Sequence, residues 1–242
     1  RDSSTSRGLG DVYKRQGLHT AYAFSITVSL LISVIGWFST PALLHLLKTP
    51  ADVIPDSILY LRIYFLGMIF TLTYNMGSSI MRAIGDSRRP LIYLIICCGI
   101  NIVLDILFVI VFHMGIAGAA IATVISQGAS AILVTRSLMK SYGILKLELR
   151  SIRFHGALLK SELKIGLPGG IQSFGYSISN IIIQAVINDF GTDTAAAWAA
   201  YGKLDAIFWT VCGSFGIAIT TFAGQNYGAR KFNRVKKSVR VC

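Results

Sequence analysis

Apolar residues fall into six long runs, roughly Thr20–Leu47, Ile58–Met81, Leu91–Phe112, Ile116–Thr135, Ile165–Ile187 and Thr194–Ala223, separated by polar stretches. A helix rises about 1.5 Å per residue, so twenty-odd residues match a hydrocarbon core about 30 Å thick. The third run carries no polar stripe of the kind that a helix on a soluble core shows. Its one charge is Asp105, and Asn101 lies one helical turn earlier on the same face. The pattern predicts an all-α polytopic membrane protein with six transmembrane helices.

The polar intervals orient those helices. Before the third run stand Arg82, Arg88 and Arg89 against Asp86. Between the fourth and fifth lie seven bases (Arg136, Lys140, Lys146, Arg150, Arg153, Lys160, Lys164) against Glu148 and Glu162. After the sixth come Arg230, Lys231, Arg234, Lys236, Lys237 and Arg240. The alternate intervals are neutral or acidic: Lys48–Asp56 has one base and two acids, His113–Gly115 has no fixed charge, and the last has only Asp189 and Asp193. Basic loops favour the cytoplasmic side, so the alternation orients every span.

Composition supports this reading. The 242 residues are 53% hydrophobic and only 14% charged, too apolar for an ordinary soluble domain. The net charge of +12 is spread between the runs, which argues against a nucleic-acid partner. Cys97, Cys98, Cys212 and Cys242 show no metal spacing, and His19, His45, His113 and His155 are scattered, so no metal site is expected. The first sixteen residues are polar and end in DVYKRQ, which resembles a translated sequencing adaptor. They are expected to lack helical periodicity, to be foreign, and to play no part in the fold.

An acid in a membrane span costs at least about 2.5 kcal/mol on insertion scales, which makes Asp105 a functional candidate and Asn101 its neighbour. The fifth run is unusually polar, and Gln172, Tyr176 and Asn180 are candidate cavity-lining residues there. Lys203 and Asp205 join them on the sixth run, although at i and i+2 they do not face each other. Arg62, flanked by Tyr60 and Tyr64, is expected to snorkel toward the interface. No cluster of His, Cys, Ser or paired acids sits within a span, so an enzyme is not expected.

The segments RAIGDSRRP, NIVLD and GIAGAAIATVISQ, followed by GLPGGIQ and AGQNYGARKFNRV, resemble motifs of the multidrug and toxic compound extrusion (MATE) transporters. The resemblance implies that the spans are helices three to eight of a twelve-helix, two-lobed protein, the remainder of the chain being absent. Residues 1–16 then form the foreign tail, 17–136 the end of an N-terminal lobe, 137–164 a cytoplasmic linker, and 165–242 the start of a C-terminal lobe. It further implies a secondary active exporter in a prokaryotic cytoplasmic membrane, exchanging small cationic organic compounds for H⁺ or Na⁺ without a cofactor. Asn101, Asp105 and Thr123 match the family's N-lobe cation-coupling residues in order and spacing. Tyr176 stands where one branch of the family carries a glutamate, which speaks against a C-lobe acid site. The alternative within the superfamily is a lipid-linked oligosaccharide flippase.

Overall fold

A backbone in hydrocarbon has no water to bond, and a helix satisfies its amides internally, so each apolar run winds into one. The computed structural model describes residues 2–46, 53–140, 146–190 and 192–241. Among these the regular structure is helical throughout: α1 (Asp2–Leu46), α2 (Ile54–Ile84), α3 (Arg88–Asp105), a π-helical stretch (Ile106–Val111), α4 (Gly115–Lys140), a short 3₁₀ turn (Leu149–Ser151), α5 (Gly156–Asp189), α6 (Thr192–Gly228) and α7 (Phe232–Val241).

Among the described residues, five segments are long and apolar enough to cross a membrane: Arg15–His45, Ile54–Ile84, Arg88–Val111, Gly115–Lys140 and Ala197–Gly228. The remaining expected run, Ile165–Ile187, lies within α5, a helix of 34 residues. Its amides and hydroxyls (Gln172, Ser173, Ser177, Asn180, Gln184) make it less apolar than the other five. Residues 2–16, set apart from the fold as a foreign tail without helical periodicity, form the first turns of α1. Extending an existing helix costs far less than nucleating one, so a polar flank can follow the apolar run that seeds it. Most of the turn Lys48–Asp56 and part of the linker, 141–145, lie outside the described residues.

The chain divides into two compact units, Arg1–Lys160 and Ser161–Cys242. In the first, α2 packs against both α1 and α4, and α3 packs on α4. Glycines make those approaches possible. A Cβ on Gly67 would lie 2.6 Å from Val124 Cγ2, and one on Gly77 would lie 2.7 Å from Tyr22 Oη and closer still to the Val134 side chain. On α1, Gly36 makes room for the Phe65 ring, and Ser33 Oγ donates to the Phe65 carbonyl at 2.6 Å. Small residues at helix crossings are how membrane bundles gain close packing when lipid is as apolar as the side chains.

The loop RAIGDSRRP turns the chain sharply. Gly85 adopts φ 101° and caps α2, its N–H and that of Asp86 bonding to the Arg82 and Met81 carbonyls at 2.9 Å. Asp86 Oδ1 accepts the Arg89 N–H at 3.1 Å, which opens α3. At the same end of the unit, Leu18, Tyr22, Met81, Val134, Leu138 and Leu147 form a buried cluster. Leu147 belongs to the linker, which folds back here. Its N–H bonds the Leu138 carbonyl at 3.1 Å, the Glu148 N–H donates to His19 Nε2 at 3.1 Å, and the His155 N–H donates to Thr20 Oγ1 at 3.3 Å. The Ser151 hydroxyl and the Arg15 guanidinium, 2.5 Å away, hold the Glu148 carboxyl below its usual range.

In the second unit α7 packs on α6, whereas among the described residues no extended packing joins α5 to α6. Apolar side chains on both are widely exposed, among them Ile165, Phe174, Ile181, Leu204, Ile207 and Phe208. Such helices belong in lipid or against further helices.

Two glycines on α2 and α4 should separate packing from propensity. Gly77→Ala forces a methyl into Val134 and Tyr22 and is expected to destabilise the first unit by about 1–3 kcal/mol through overpacking. Gly128→Ala meets only the Phe70 ring at 3.8 Å, an ordinary contact, and is expected to be neutral or stabilising. Unfolding midpoints in detergent compare the two, and equal midpoints would contradict the close approach.

Candidate functional site

Asp105 ends α3, and Asn101 precedes it by one turn, so both side chains leave the same face. Both are half-buried. Asn101 Nδ2 and Asp105 Oδ1 are buried atoms without a hydrogen-bond partner. Most buried polar atoms in folded proteins are paired, and an orphan is an exception that asks for an explanation. Two orphans one turn apart, in an otherwise apolar span, form a polar spot open to an additional donor, acceptor or cation.

The backbone is irregular at the same place. From Ile106 to Val111 it is π-helical, and the Phe112 N–H reaches back to the Leu107 carbonyl at 2.9 Å. π-Turns are rare and cluster at functional positions in helices. His113, with φ 54°, and Gly115, with φ 56°, then turn the chain into α4. Nothing in the residue pattern of ILFVIV announced the π stretch.

Thr123 lies on α4, which packs against both α3 and the π stretch. Its hydroxyl donates to the Ala119 carbonyl at 2.9 Å, and no hydrogen bond joins it to Asn101 or Asp105. The three residues therefore occupy adjoining helices without direct linkage. A groove of about 340 Å³ opens between α1, α2 and α4, lined by Ile26, Ile69, Phe70, Thr73, Ile132 and Met139 among others, and none of the three lines it.

Arg62, expected to snorkel toward the interface from near the start of its span, is engaged by residues near the end of α1. Pro41, inside α1, has no N–H to give the Trp37 carbonyl. Arg62 Nε, from α2, donates to that carbonyl at 3.4 Å, and its guanidinium carbon sits 5.1 Å from the centre of the Trp37 ring. A cation on an aromatic face gains about 0.5–2 kcal/mol, more as water is excluded. The signal was present in the sequence as a proline near the end of one span and an arginine near the start of the next.

On α5, Gln172, Tyr176 and Asn180 recur every fourth residue and share one exposed face. On α6, Lys203 is exposed, while Asp205 is half-buried and accepts the Tyr201 hydroxyl at 3.4 Å. Tyr201 in turn contacts the Trp198 ring at 5.3 Å between centroids. Among the described residues, no group of His, Cys, Asp or Glu is arranged to hold a metal ion.

Long apolar helices with a polar spot inside one of them define a polytopic helical membrane protein. The MatE family model matches residues 14–107 and 168–242, and the chain belongs to that family, whose members are transporters rather than enzymes. It is 33% identical over 233 residues to the probable multidrug resistance protein YpnP of Bacillus subtilis, covering 96% of this chain and 52% of that protein. It is 32% identical over 229 residues to YoeA of the same organism, also a probable multidrug resistance protein, covering 92% and 50%. Among solved structures, a mutant of the Vibrio cholerae MATE transporter VcmN superposes with a TM-score of 0.86 at 21% identity, covering 98% of this chain and 54% of that one. A MATE in the straight conformation gives 0.82 at 22% identity, covering 96% and 53%. The chain thus spans about half the length of the relatives it matches.

The orphaned atoms make a stability forecast. Asn101→Leu removes a buried unsatisfied donor and is expected to stabilise the chain by about 1–3 kcal/mol. A lower unfolding midpoint for that variant would show that the Asn101 amide is satisfied.

Proposed function

We propose that this chain is part of a secondary active exporter that moves organic, cationic compounds out of a prokaryotic cell in exchange for H⁺ or Na⁺, with Asp105 as the coupling residue. The observation that carries the reading is the pair of orphaned atoms, Asn101 Nδ2 and Asp105 Oδ1, in an apolar span. Leaving the Asp105 oxygen unsatisfied is costly, and a bound cation or a proton removes that cost, whereas the Asn101 NH2, a donor, is answered by an acceptor such as that carboxylate or a substrate oxygen. Asp105 would be ionised with a cation bound, or neutral when protonated. Asn101 and Thr123 would offer neutral oxygens suited to a hard cation or to bonding the carboxyl.

A ligand shifts a two-state equilibrium only by its differential affinity for the two states. Filling the Asp105 site in one arrangement of the lobes and not in the other supplies that difference. The relatives' names, which speak of multidrug resistance, support export of varied organic compounds. The polar face of Gln172, Tyr176 and Asn180 on α5, with Lys203 and Asp205 on α6, would line the aqueous path. The basic loops would face the cytoplasm, as their alternation along the chain argues.

Asp105→Asn, placed in the intact gene, is expected to abolish ion-coupled export of a fluorescent organic cation while leaving the amount of protein in the membrane unchanged. Undiminished efflux would reject Asp105 as the coupling residue. Movement of lipid-linked oligosaccharide without cation efflux would instead favour the flippase. Vesicles holding only the 242-residue chain are expected to show no export, because alternating access needs an opposing lobe. Measurable export from them would overturn the two-lobe mechanism.

A further inference from the structure

The basic helix at the end of the chain has no role in the transport reading. α6 stops in a tight turn in which Arg230 takes φ 57° and the Lys231 N–H bonds the Asn226 carbonyl at 2.8 Å. Asn226 is buried and donates to the Phe222 carbonyl at 2.8 Å, which fixes the corner. The ring of Tyr227, before the turn, meets that of Phe232, after it, edge to face at 5.5 Å. Both rings remain widely exposed, 67% and 50%. Exposed aromatic rings at the end of a membrane span mark the headgroup level.

α7 then runs for ten residues. Phe232 and Val235 share one side at i and i+3, with Lys236 beside Phe232 at i+4, while Arg234 and Lys237 follow the opposite side at a spacing of three. With Arg230, Lys231 and Arg240, the segment holds six bases, and the chain contains no Asp or Glu after Asp205. The charge therefore has no acid on its own stretch to neutralise it. At the corner a notch of about 320 Å³ is lined by Arg230, Lys231, Phe232, Asn233 and Arg234. A short amphipathic helix of this charge, tied to the end of a span, matches a helix lying in the interface.

We infer that α7 is a membrane-surface helix that docks on the anionic phospholipid headgroups of the leaflet where α6 ends, its bases on phosphate and its Phe232 side toward the acyl chains. Which leaflet that is rests on the orientation in the proposed function; the docking itself does not. Each base near an anionic surface strengthens binding by about fivefold, and the effect fades with salt.

The test reconstitutes the whole chain in vesicles of phosphatidylcholine, alone or mixed with phosphatidylglycerol in both leaflets, and follows amide hydrogen exchange across 232–241. Exchange is expected to slow by about tenfold or more in the anionic vesicles, as two or more bases engage. High salt, or the pair Lys236→Gln and Lys237→Gln, should reverse most of that slowing. Equal exchange in the two lipids would overturn the proposal, as would full protection retained by the double variant. Val235→Ser should weaken protection in both lipids, and no change there would remove the apolar contact from the model of docking. Because the vesicles are symmetric, a wrong orientation cannot mimic failure. Trypsin cutting after Lys236 in intact cells would reverse the orientation and leave the docking standing.

Discussion

Hydrocarbon offers a polar group nothing to bond, and that constraint governs nearly every side-chain contact in the first unit. Hydroxyls along the spans turn inward on their own helix: Thr40 to the Gly36 carbonyl at 2.5 Å, Ser126 to Thr123 at 2.9 Å, Ser130 to Gln127 at 2.8 Å. Where proline removes a backbone donor, as at Pro41, an arginine from the next helix takes over the carbonyl it leaves. Among the described residues, five buried side-chain atoms of this unit are left unbonded, on Tyr22, Ser25, Asn101, Asp105 and His155, and of these only Asp105 carries a formal charge within a span.

The two units meet the same solvent differently. In the first, glycines at 36, 67 and 77 bring backbones close enough that a methyl would collide. In the second, α5 and α6 turn large apolar side chains outward, and α5 carries an additional amide and hydroxyl stripe. A stripe of that kind is unsuited to lipid and suited to water or to another polar face.

Much of this was legible in the chain before any coordinates. The spans follow from the length of apolar runs, and Asn101 and Asp105 from their i, i+4 spacing, because both signals are local. What was not legible depends on neighbours. The contacts of Arg62 with Trp37 across two helices were not readable from the chain. Thr123 is tied to Asp105 by family resemblance alone, and the hydrogen bond of its hydroxyl to the Ala119 carbonyl could not be read from the chain. The helical course of residues 2–16 escaped a reading based on apolar periodicity, since those residues carry none. α5 was taken as a span like the others, and its polarity sets it apart from the five that qualify on hydropathy alone.

The π-helical stretch after Asp105 has a geometric consequence. A π-turn holds more residues than an α-turn, so side chains beyond it no longer continue the stripe laid down before it. The span of Arg88–Val111 is therefore two helices out of phase, joined at the carboxylate. Asp105 is the last residue laid on the first stripe, so the face it shares with Asn101 ends with it.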